Sequence, residues 1–373
     1  MSKSYTPGLK VLKDTNISKE RLLPLKGDVH VKIKDIVESG DIVASTEIPG
    51  NVQMINIANK LNIDPDQVEK YMLVKINDSV EKNQLIAQSK GLFGMFKSNI
   101  KSPIDGKIIN ISNVTGQVVI SEHPIPINVD AYIPGKIKNL YEGEGVLIDS
   151  TGTFVQGIIG IGGEKQGKIH ILVNDPTEEI KVSDITADLK DKIIVCGSYI
   201  NLGIYKKAKS VGIKGIVCGG VDYNTISKIL GYSLGVAITG TEDTTTLILT
   251  EGFGNIDMAL RTFNILKENN NKNVSINGAT QIRAGVLRPE IFIKSDGSGE
   301  SKSFKEDDFV ISEGSTVRVI REPYFGQIGK IVSLPYELDQ MESETKVRVA
   351  EVQFEDNTKE IIPRTNLEVI LSN

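Results

Sequence analysis

The stretch Val31-Lys-Ile-Lys-Asp-Ile-Val-Glu-Ser-Gly-Asp-Ile-Val-Ala44 returns 43 residues later as Val74-Lys-Ile-Asn-Asp-Ser-Val-Glu-Lys-Asn-Gln-Leu-Ile-Ala87. In both copies apolar and polar residues alternate, which is typical of short, half-buried strands. Each copy leads to a similar second strand, Met54-Ile-Asn-Ile57 or Ile108-Ile-Asn-Ile111. A repeat at this spacing indicates one supersecondary unit used twice, so the sequence predicts two β-rich half-units.

This pattern resembles the half-barrels of biotinyl/lipoyl-like barrel-sandwich hybrid domains, and the resemblance covers residues 21–130. Carrier domains of that family present a modifiable lysine at the tip of a tight hairpin. The corresponding turn here, Glu47-Ile-Pro-Gly-Asn51, has no lysine. We therefore expect neither biotin nor lipoyl attachment, and the sequence indicates no other cofactor.

The second copy contains an apolar insertion of 11 residues, near residues 91–101. One hypothesis is that it folds over an open barrel end and completes the core. The other is that it forms a docking tip, because clustered exposed aromatic side chains mark interaction surfaces. Its candidate partner-docking residues are Leu92, Phe93, Met95 and Phe96.

Residues 131–185 are predicted to form a β-rich connector. Within it, Gly162-Gly-Glu-Lys-Gln-Gly-Lys168 has the glycine and lysine spacing of a phosphate-binding loop. Ile169 follows, however, where such a loop requires a serine or threonine, and the next residues favour a strand. We therefore expect these glycines to form hairpin turns.

Residues 186–295 are predicted to form an α/β domain. A strand ending at Cys196, a helix stopped by Gly212 and a strand beginning at Gly215 imply a parallel pair joined by a crossover. Residues 234–239 are predicted as the third strand of this sheet, and 247–250 as the fourth. The region resembles DRTGG-type regulatory domains, which often accompany nucleotide-sensing domains.

Ligands of open parallel sheets bind beyond the carboxyl ends of the strands. Small, hydroxyl and carboxylate residues follow these predicted strands, and two arginines come in the polar run 275–290. This rim is suited to a cation, an amine or a metal-bridged anion. Alternatively, the small residues only make turns, and the arginines form an inter-domain salt bridge to the acidic α/β rim. The candidate ligand-binding residues are Ser198, Gly219, Gly220, Asp222, Thr239, Glu242, Asp243, Glu251, Arg283 and Arg288.

The two cysteines, Cys196 and Cys218, lack an adjacent histidine or arginine that would lower the thiol pKa. We expect both to be buried and unreactive. The histidines lie far from them in sequence, and no His/Cys/Asp grouping has metal-ligand spacing. The sequence therefore predicts no catalytic residue and no metal site.

Residues 309–373 follow a polar linker and resemble a KOW motif in an SH3-like barrel. The motif is carried by Gly314-Ser-Thr-Val-Arg-Val-Ile-Arg-Glu-Pro-Tyr-Phe-Gly-Gln-Ile-Gly-Lys-Ile-Val332. From residue 311 onward, 11 acidic side chains face 7 basic ones, which is a poor balance for binding a phosphate backbone. Tyr324 and Phe325 are therefore candidate docking residues for a protein first, and for RNA or a ribonucleoprotein second.

The whole chain has 43 basic and 48 acidic residues, a net charge of −5. This balance argues against a membrane-surface protein or a sequence-specific DNA-binding protein. The absence of a signal peptide and the low cysteine count predict a cytoplasmic protein.

The predicted fold class is multidomain α/β plus all-β: a barrel-sandwich hybrid, a parallel-sheet α/β domain and an SH3-like KOW barrel. This combination resembles a bacterial multidomain family. The first functional hypothesis is a non-enzymatic adaptor or scaffold that docks to a larger assembly, such as transcription or translation machinery. The alternatives are a small-ligand or nucleotide sensor or enzyme at the α/β rim, and an RNA-binding factor.

Overall fold

A computed structural model describes residues 9–89, 98–232, 237–238, 244–281, 287–295, 311–319, 323–324, 327–340, 346–354 and 357–371. The chain is mostly β, with a half-barrel sheet and a mixed sheet that contains some parallel strands. Its helices are α1 (Ile57–Leu61), α2 (Val68–Tyr71), α3 (Leu202–Val211), α4 (Tyr223–Leu230) and α5 (Leu260–Glu268).

The strands of the N-terminal half are β1 (Leu9–Leu22), β2 (Asp28–Val29), β3 (Ile36–Val37), β4 (Ile42–Ile48), β5 (Val52–Asn56), β6 (Ser79–Val80), β7 (Leu85–Gln88), β8 (Asn99–Lys101), β9 (Gly106–Ile111), β10 (Gln117–Ser121), β11 (Ile125–Asp130), β12 (Gly135–Tyr141), β13 (Gly145–Gln156), β14 (Ile159–Ile161) and β15 (Glu164–Ile171). Those of the C-terminal half are β16 (Ile193–Val195), β17 (Gly215–Val221), β18 (Ala237–Ile238), β19 (Thr246–Phe253), β20 (Asn273–Asn277), β21 (Thr280–Gln281), β22 (Glu290–Lys294), β23 (Thr316–Val319), β24 (Ile328–Ser333), β25 (Leu338–Gln340), β26 (Lys346–Phe354), β27 (Lys359–Pro363) and β28 (Leu367–Leu371).

The internal repeat is visible in the hydrogen bonds of its turns. In the first copy, Asp35 accepts from the Lys32 amide at 2.8 Å, and in the second, Asp78 accepts from the Lys75 amide at 2.7 Å. The left-handed residues of the two turns are also equivalent, Lys34 with φ 79° and Asn77 with φ 78°. The prediction of one unit used twice is therefore confirmed at these turns.

The two copies meet in one sheet. The first supplies β3, β4 and β5 and reaches β12 through β3, whereas the second supplies β6, the β7–β8 hairpin and β9. β5 of the first copy and β9 of the second both pair with β10. Beside this sheet lies an apolar core built around Ile57, Ile86, Ile108 and Ile120. The apolar insertion of the second copy falls largely on residues 90–97, outside the described residues.

β1, the longest described strand, lies outside every domain that the sequence predicts except for its last two residues, Arg21 and Leu22. It pairs antiparallel with β13 over almost its whole length, from Val11 opposite Val155 to Leu22 opposite Gly145. Two strands pair with the other edge of β13: β12 pairs with residues 145–149, and β22 pairs with residues 152–156. This arrangement curls the strands into a half-barrel that encloses the fully buried Tyr132.

The α/β part contains the predicted parallel pair, because β16 and β17 are parallel and α3 joins them and ends at Gly212. The prediction of residues 234–239 as the third strand of this sheet is wrong. The parallel neighbour of β17 is β19, while β18 pairs antiparallel with β21. β15 lies in the predicted connector and pairs with both β16 and β20 of the predicted α/β domain. The connector and the α/β domain therefore share one sheet.

The glycine-rich stretch that imitates a phosphate loop is a turn followed by a strand. Gly162 has φ +84°, in the left-handed region that favours glycine, and β15 begins two residues later. Lys168 lies within β15, opposite Asn273. The prediction of a turn in which glycine supplies a positive φ is confirmed at Gly162, but the turn does not close a hairpin, because β14 pairs with β19 while β15 pairs with β16 and β20.

The C-terminal strands form an antiparallel sheet in the order β28, β23, β24, β26 and β27, and β25 adds to β26. Their buried side chains belong to the same apolar cluster as Leu12, Tyr132 and Phe154. β28 also pairs in parallel with β1. The C-terminal module therefore packs directly on the half-barrel.

The repeated turns allow a reciprocal test. A non-glycine residue in the left-handed region is strained, and asparagine tolerates it best. We expect Lys34→Asn to raise the free energy of unfolding by about 0.5–1 kcal/mol and Asn77→Lys to lower it by a similar amount. Urea denaturation measures both, with Lys32→Asn in the same turn as the control. Changes of the same sign at both positions would contradict the equivalence of the turns.

Candidate functional site

The ends of the parallel strands are closed by backbone. A Cβ atom on Gly219 would lie 2.1 Å from the carbonyl oxygen of Ile256, and one on Gly220 would lie 2.3 Å from that of Gly254. The Ser198 hydroxyl is buried and donates to the Glu178 carbonyl at 3.1 Å. The absence of side chains at the two glycines thus lets the segment 254–258 cross over the end of β17.

Asp222 lies on the exposed side of this edge and is bound to a tyrosine. The Tyr199 hydroxyl donates to Asp222 Oδ2 at 2.5 Å. This hydrogen bond, and to a smaller extent partial burial, raises the pKa of Tyr199 to about 12. The pair is a hydrogen bond between the segment after β16 and the residue that precedes α4, and sequence reasoning identified only its carboxylate.

Glu251 is buried and belongs to an ion network. One of its oxygens accepts from the Ala259 amide at 2.9 Å, and the other is paired with the Arg318 guanidinium. Arg318 also donates to Glu368 at 2.9 Å, and Glu368 lies 3.4 Å from Arg288. These four side chains, Glu251, Arg288, Arg318 and Glu368, are hereafter the ion network. The network joins β19 and Arg288, two residues before β22, to β23 and β28 of the C-terminal module.

Burial raises the pKa of Glu251, while the nearby Arg318 guanidinium opposes this shift. Arg318, which counts among the basic side chains of the C-terminal segment, is 4% exposed and unavailable at the surface. Among the described residues, Arg288 is paired with Glu368 of the C-terminal module rather than with the acidic α/β rim. Of the predicted ligand-binding residues, Glu251 and Arg288 thus belong to one network, connected through Arg318 and Glu368.

Several predicted site residues lie outside the described residues. These are Thr239, Glu242, Asp243 and Arg283 of the rim, Leu92, Phe93, Met95 and Phe96 of the insertion, and Phe325 of the C-terminal turn. Of the docking residues, the structure describes Tyr324, whose ring packs 5.4 Å from that of Phe354. β7 and β8, which flank residues 90–97 in sequence, pair as antiparallel strands.

A second polar cluster lies in the half-barrel, and sequence reasoning missed it. Tyr132 has φ 61° and lies beneath Lys19 and Arg21, each with its cationic group 5.3 Å from the ring centroid. Arg21 donates to both oxygens of Glu164, at 2.7 and 2.8 Å, and Lys19 is paired with Glu290. Burial, together with these carboxylates, raises the pKa of Tyr132. The cluster holds a neutral phenol between two cations within the sheet.

Both cysteines are buried, and burial raises the pKa of each thiol. The described part of the chain contains no group of three or more metal-ligating side chains. It also contains no helix that is long and apolar enough to cross a bilayer.

Large apolar side chains are exposed on the sheet that β5, β10, β9 and β6 form. Val52 and Met54 of β5 are 54% and 70% exposed, and Ile109 of β9 is 45% exposed. Met54 lies opposite Val119, and a bulge in β9 brings Ile109 beside the same residue. Within the described residues, β5 pairs with β10 alone and is therefore an edge strand. Hereafter this surface, formed by Val52, Met54, Val119 and Ile109, is the apolar edge face.

The chain matches no model of a known protein family, and no curated protein is similar enough to count as a relative.

The ion network predicts a large cost for removing its central cation. Arg318→Met leaves Glu251 buried without its cation and Glu368 with Arg288 alone, so we expect the free energy of unfolding to fall by about 3–5 kcal/mol at pH 7. The loss should shrink as the pH falls, because burial raises the pKa of Glu251 and favours its neutral form. Guanidinium denaturation at several pH values measures both effects. A triple variant, Arg318→Met with Glu251→Gln and Glu368→Gln, that is as unstable as Arg318→Met alone would contradict the electrostatic explanation.

The Tyr199–Asp222 pair predicts a late-titrating phenol. Its folded pKa of about 12 exceeds the value of about 10 for an unfolded chain. The stabilisation from this shift is therefore complete below pH 10 and is lost as the pH rises towards 12. Ultraviolet difference titration against Tyr199→Phe should show the late transition, and Asp222→Asn should move it down towards 10. A midpoint that Asp222→Asn leaves unchanged would contradict the assignment.

Proposed function

We propose that this protein is a non-enzymatic scaffold that docks a protein partner on the apolar edge face. The carrying observation is the exposure of Val52 and Met54 on an edge strand. An edge strand offers unpaired backbone groups to an extended peptide, and adjacent apolar side chains supply affinity and selectivity. The partner is therefore a protein segment in extended conformation that directs apolar side chains towards Met54 and Ile109.

The rigid attachment of the modules supports this function. The C-terminal module shares an apolar cluster with the half-barrel, pairs with β1 and is bonded through the ion network. A scaffold must hold its docking surfaces at fixed positions. Buried ion pairs add little net stability, and their main effect here is to favour one packing arrangement of the modules.

The fine classification of the modules is part of the same proposal. The turns shared by the two copies support a barrel-sandwich hybrid. In the C-terminal module, five antiparallel strands and a 3-10 helix, Arg364–Asn366, before the last strand support an SH3-like KOW barrel. Both are small β modules that serve as binding platforms, and neither class by itself defines an activity.

Deletion of residues 309–373 is a poor test of docking, because it would expose the apolar cluster shared with the half-barrel. Point variants on the apolar edge face avoid this problem. We expect Val52→Lys with Met54→Lys to lower partner recovery about tenfold or more, since central interface residues each contribute above about 1 kcal/mol. The melting temperature should stay unchanged, because both side chains are already exposed.

Recovery is measured by cross-linking in cells that produce the full chain, followed by mass spectrometry of peptides joined to Lys60 and Lys107. The control variant, Val182→Lys with Leu260→Lys, alters exposed apolar residues on the α/β part and should keep the same cross-links. Cross-links that persist in the Val52/Met54 variant would refute docking at this face.

A further inference from the structure

An open cleft of about 650 Å³ lies on one face of the sheet that β15, β20 and β22 form. Another part of its wall is the turn that contains Glu38 and Ser39, from the first copy of the repeat. The Gln166 side-chain amide donates to the Ser39 carbonyl at 2.9 Å and holds this turn against the sheet. The volume is in the range of small-ligand sites in proteins.

The strand register places two lysines on the same face of this sheet. Lys168 lies opposite Asn273, and the register of β20 with β22, continued by two residues, brings Asn273 opposite Lys294. Side chains of directly opposite residues point to the same side of a sheet, so these three stand side by side at the cleft. Neighbouring strands are about 4.8 Å apart, which puts the Cα atoms of Lys168 and Lys294 about 10 Å apart. The flexible stem of lysine allows both ammonium groups to reach one ligand.

The lining of the cleft carries an excess of positive charge. Among the described residues it contains one carboxylate, that of Glu38, and three lysines, Lys168, Lys272 and Lys294. Lys168 and Lys294 are exposed and form no ion pair with any described residue. Asn271 and Asn273 add side-chain amides. Hydrogen-bond donors and positive charge together disfavour a cation and favour a ligand rich in acceptor oxygens.

Lys168 also connects the cleft to the glycine-rich run of residues 162–168, whose spacing imitates a phosphate-binding loop. The run does not form such a loop, because its lysine lies within β15. That strand nevertheless carries the lysine to the cleft, where Lys294 stands two strands away.

We infer that this cleft binds a compact small molecule that carries at least two phosphate groups. Lysine contacts phosphate as a point charge, and two lysines about 10 Å apart can each contact a separate phosphate group of one ligand. A largely apolar ligand is a weaker fit, because Phe292 at the deep wall is 1% exposed. The cleft lies on other strands than the apolar edge face, so its failure as a site would leave the proposed docking function untouched.

The test uses the full-length chain and isothermal titration calorimetry with inorganic tripolyphosphate at pH 7 and about 50 mM salt. One tripolyphosphate should bind per chain with a Kd of about 0.1–1 mM, the range that two or three charge-assisted hydrogen bonds give at an exposed site. The affinity should fall several-fold at about 200 mM salt, because salt screens exposed charges. Lys168→Gln with Lys294→Gln should weaken binding at least about tenfold, and an unchanged melting temperature verifies that this variant is folded.

The matched control, Lys207→Gln with Lys228→Gln, removes two exposed lysines of α3 and α4 and should retain the wild-type affinity. Glu38→Gln should tighten binding about twofold, because it removes a negative charge beside the ligand. Citrate at equal ionic strength should bind more weakly than tripolyphosphate, because it carries less negative charge.

The absence of binding heat up to about 10 mM tripolyphosphate, ten times the weakest expected Kd, would overturn the inference. Equal losses in the two double variants, or an affinity that Glu38→Gln leaves unchanged, would place the anion elsewhere and overturn it as well. Citrate binding as tight as that of tripolyphosphate would overturn the assignment to phosphate.

Discussion

The pairing of β1 with β13 connects almost every part of this structure. β1 supplies one side of the half-barrel, places Lys19 and Arg21 over the buried ring of Tyr132, and extends at Leu9 to the last strand of the C-terminal module. A bulge between Leu12 and Thr15 lets the same strand serve both ends of β13. The polar half of β1 is exposed or half-buried, and two of its cations, Lys19 and Arg21, are held by Glu290 and Glu164.

The polar residues of the α/β edge act chiefly within the fold. Gly219 and Gly220 admit a crossing backbone segment, Ser198 binds a carbonyl, and Glu251 enters the ion network. A buried network of this kind contributes little net stability against an apolar substitute, yet it permits one arrangement of the joined elements. A scaffold needs this property. Because the residues at the strand ends serve the fold, we expect docking on the outer faces of the β modules.

The parts of the fold that could be predicted are those specified by local sequence. The repeated turns follow from Asp35 and Asp78, each of which binds the backbone three residues earlier, and α3 ends where Gly212 adopts a left-handed conformation. β1 lacks such a signal, because the strand alternates polar residues whose partners lie more than a hundred positions away.

The same reason explains Arg318, which resembles a surface residue in sequence and is buried only because Glu251 and Glu368 meet it in three dimensions. Of the candidate site, sequence patterns identified Asp222, Glu251 and Arg288 as polar groups, but their partners are set by tertiary packing. The edge position of β5 likewise follows from sheet order, which alternation along a single strand does not encode.

The parallel contact between Leu9 and Ile370 has a consequence for biosynthesis. The first described strand to leave the ribosome pairs with the last, so that contact has no partner until translation is nearly complete. Contacts of such long sequence separation slow folding and prolong the exposure of unpaired strands. During that interval the end of β1 that later pairs with β28 could pair with another chain instead. The lysines and the glutamate of β1 reduce that risk, because charged side chains on an unpaired strand disfavour pairing with other chains.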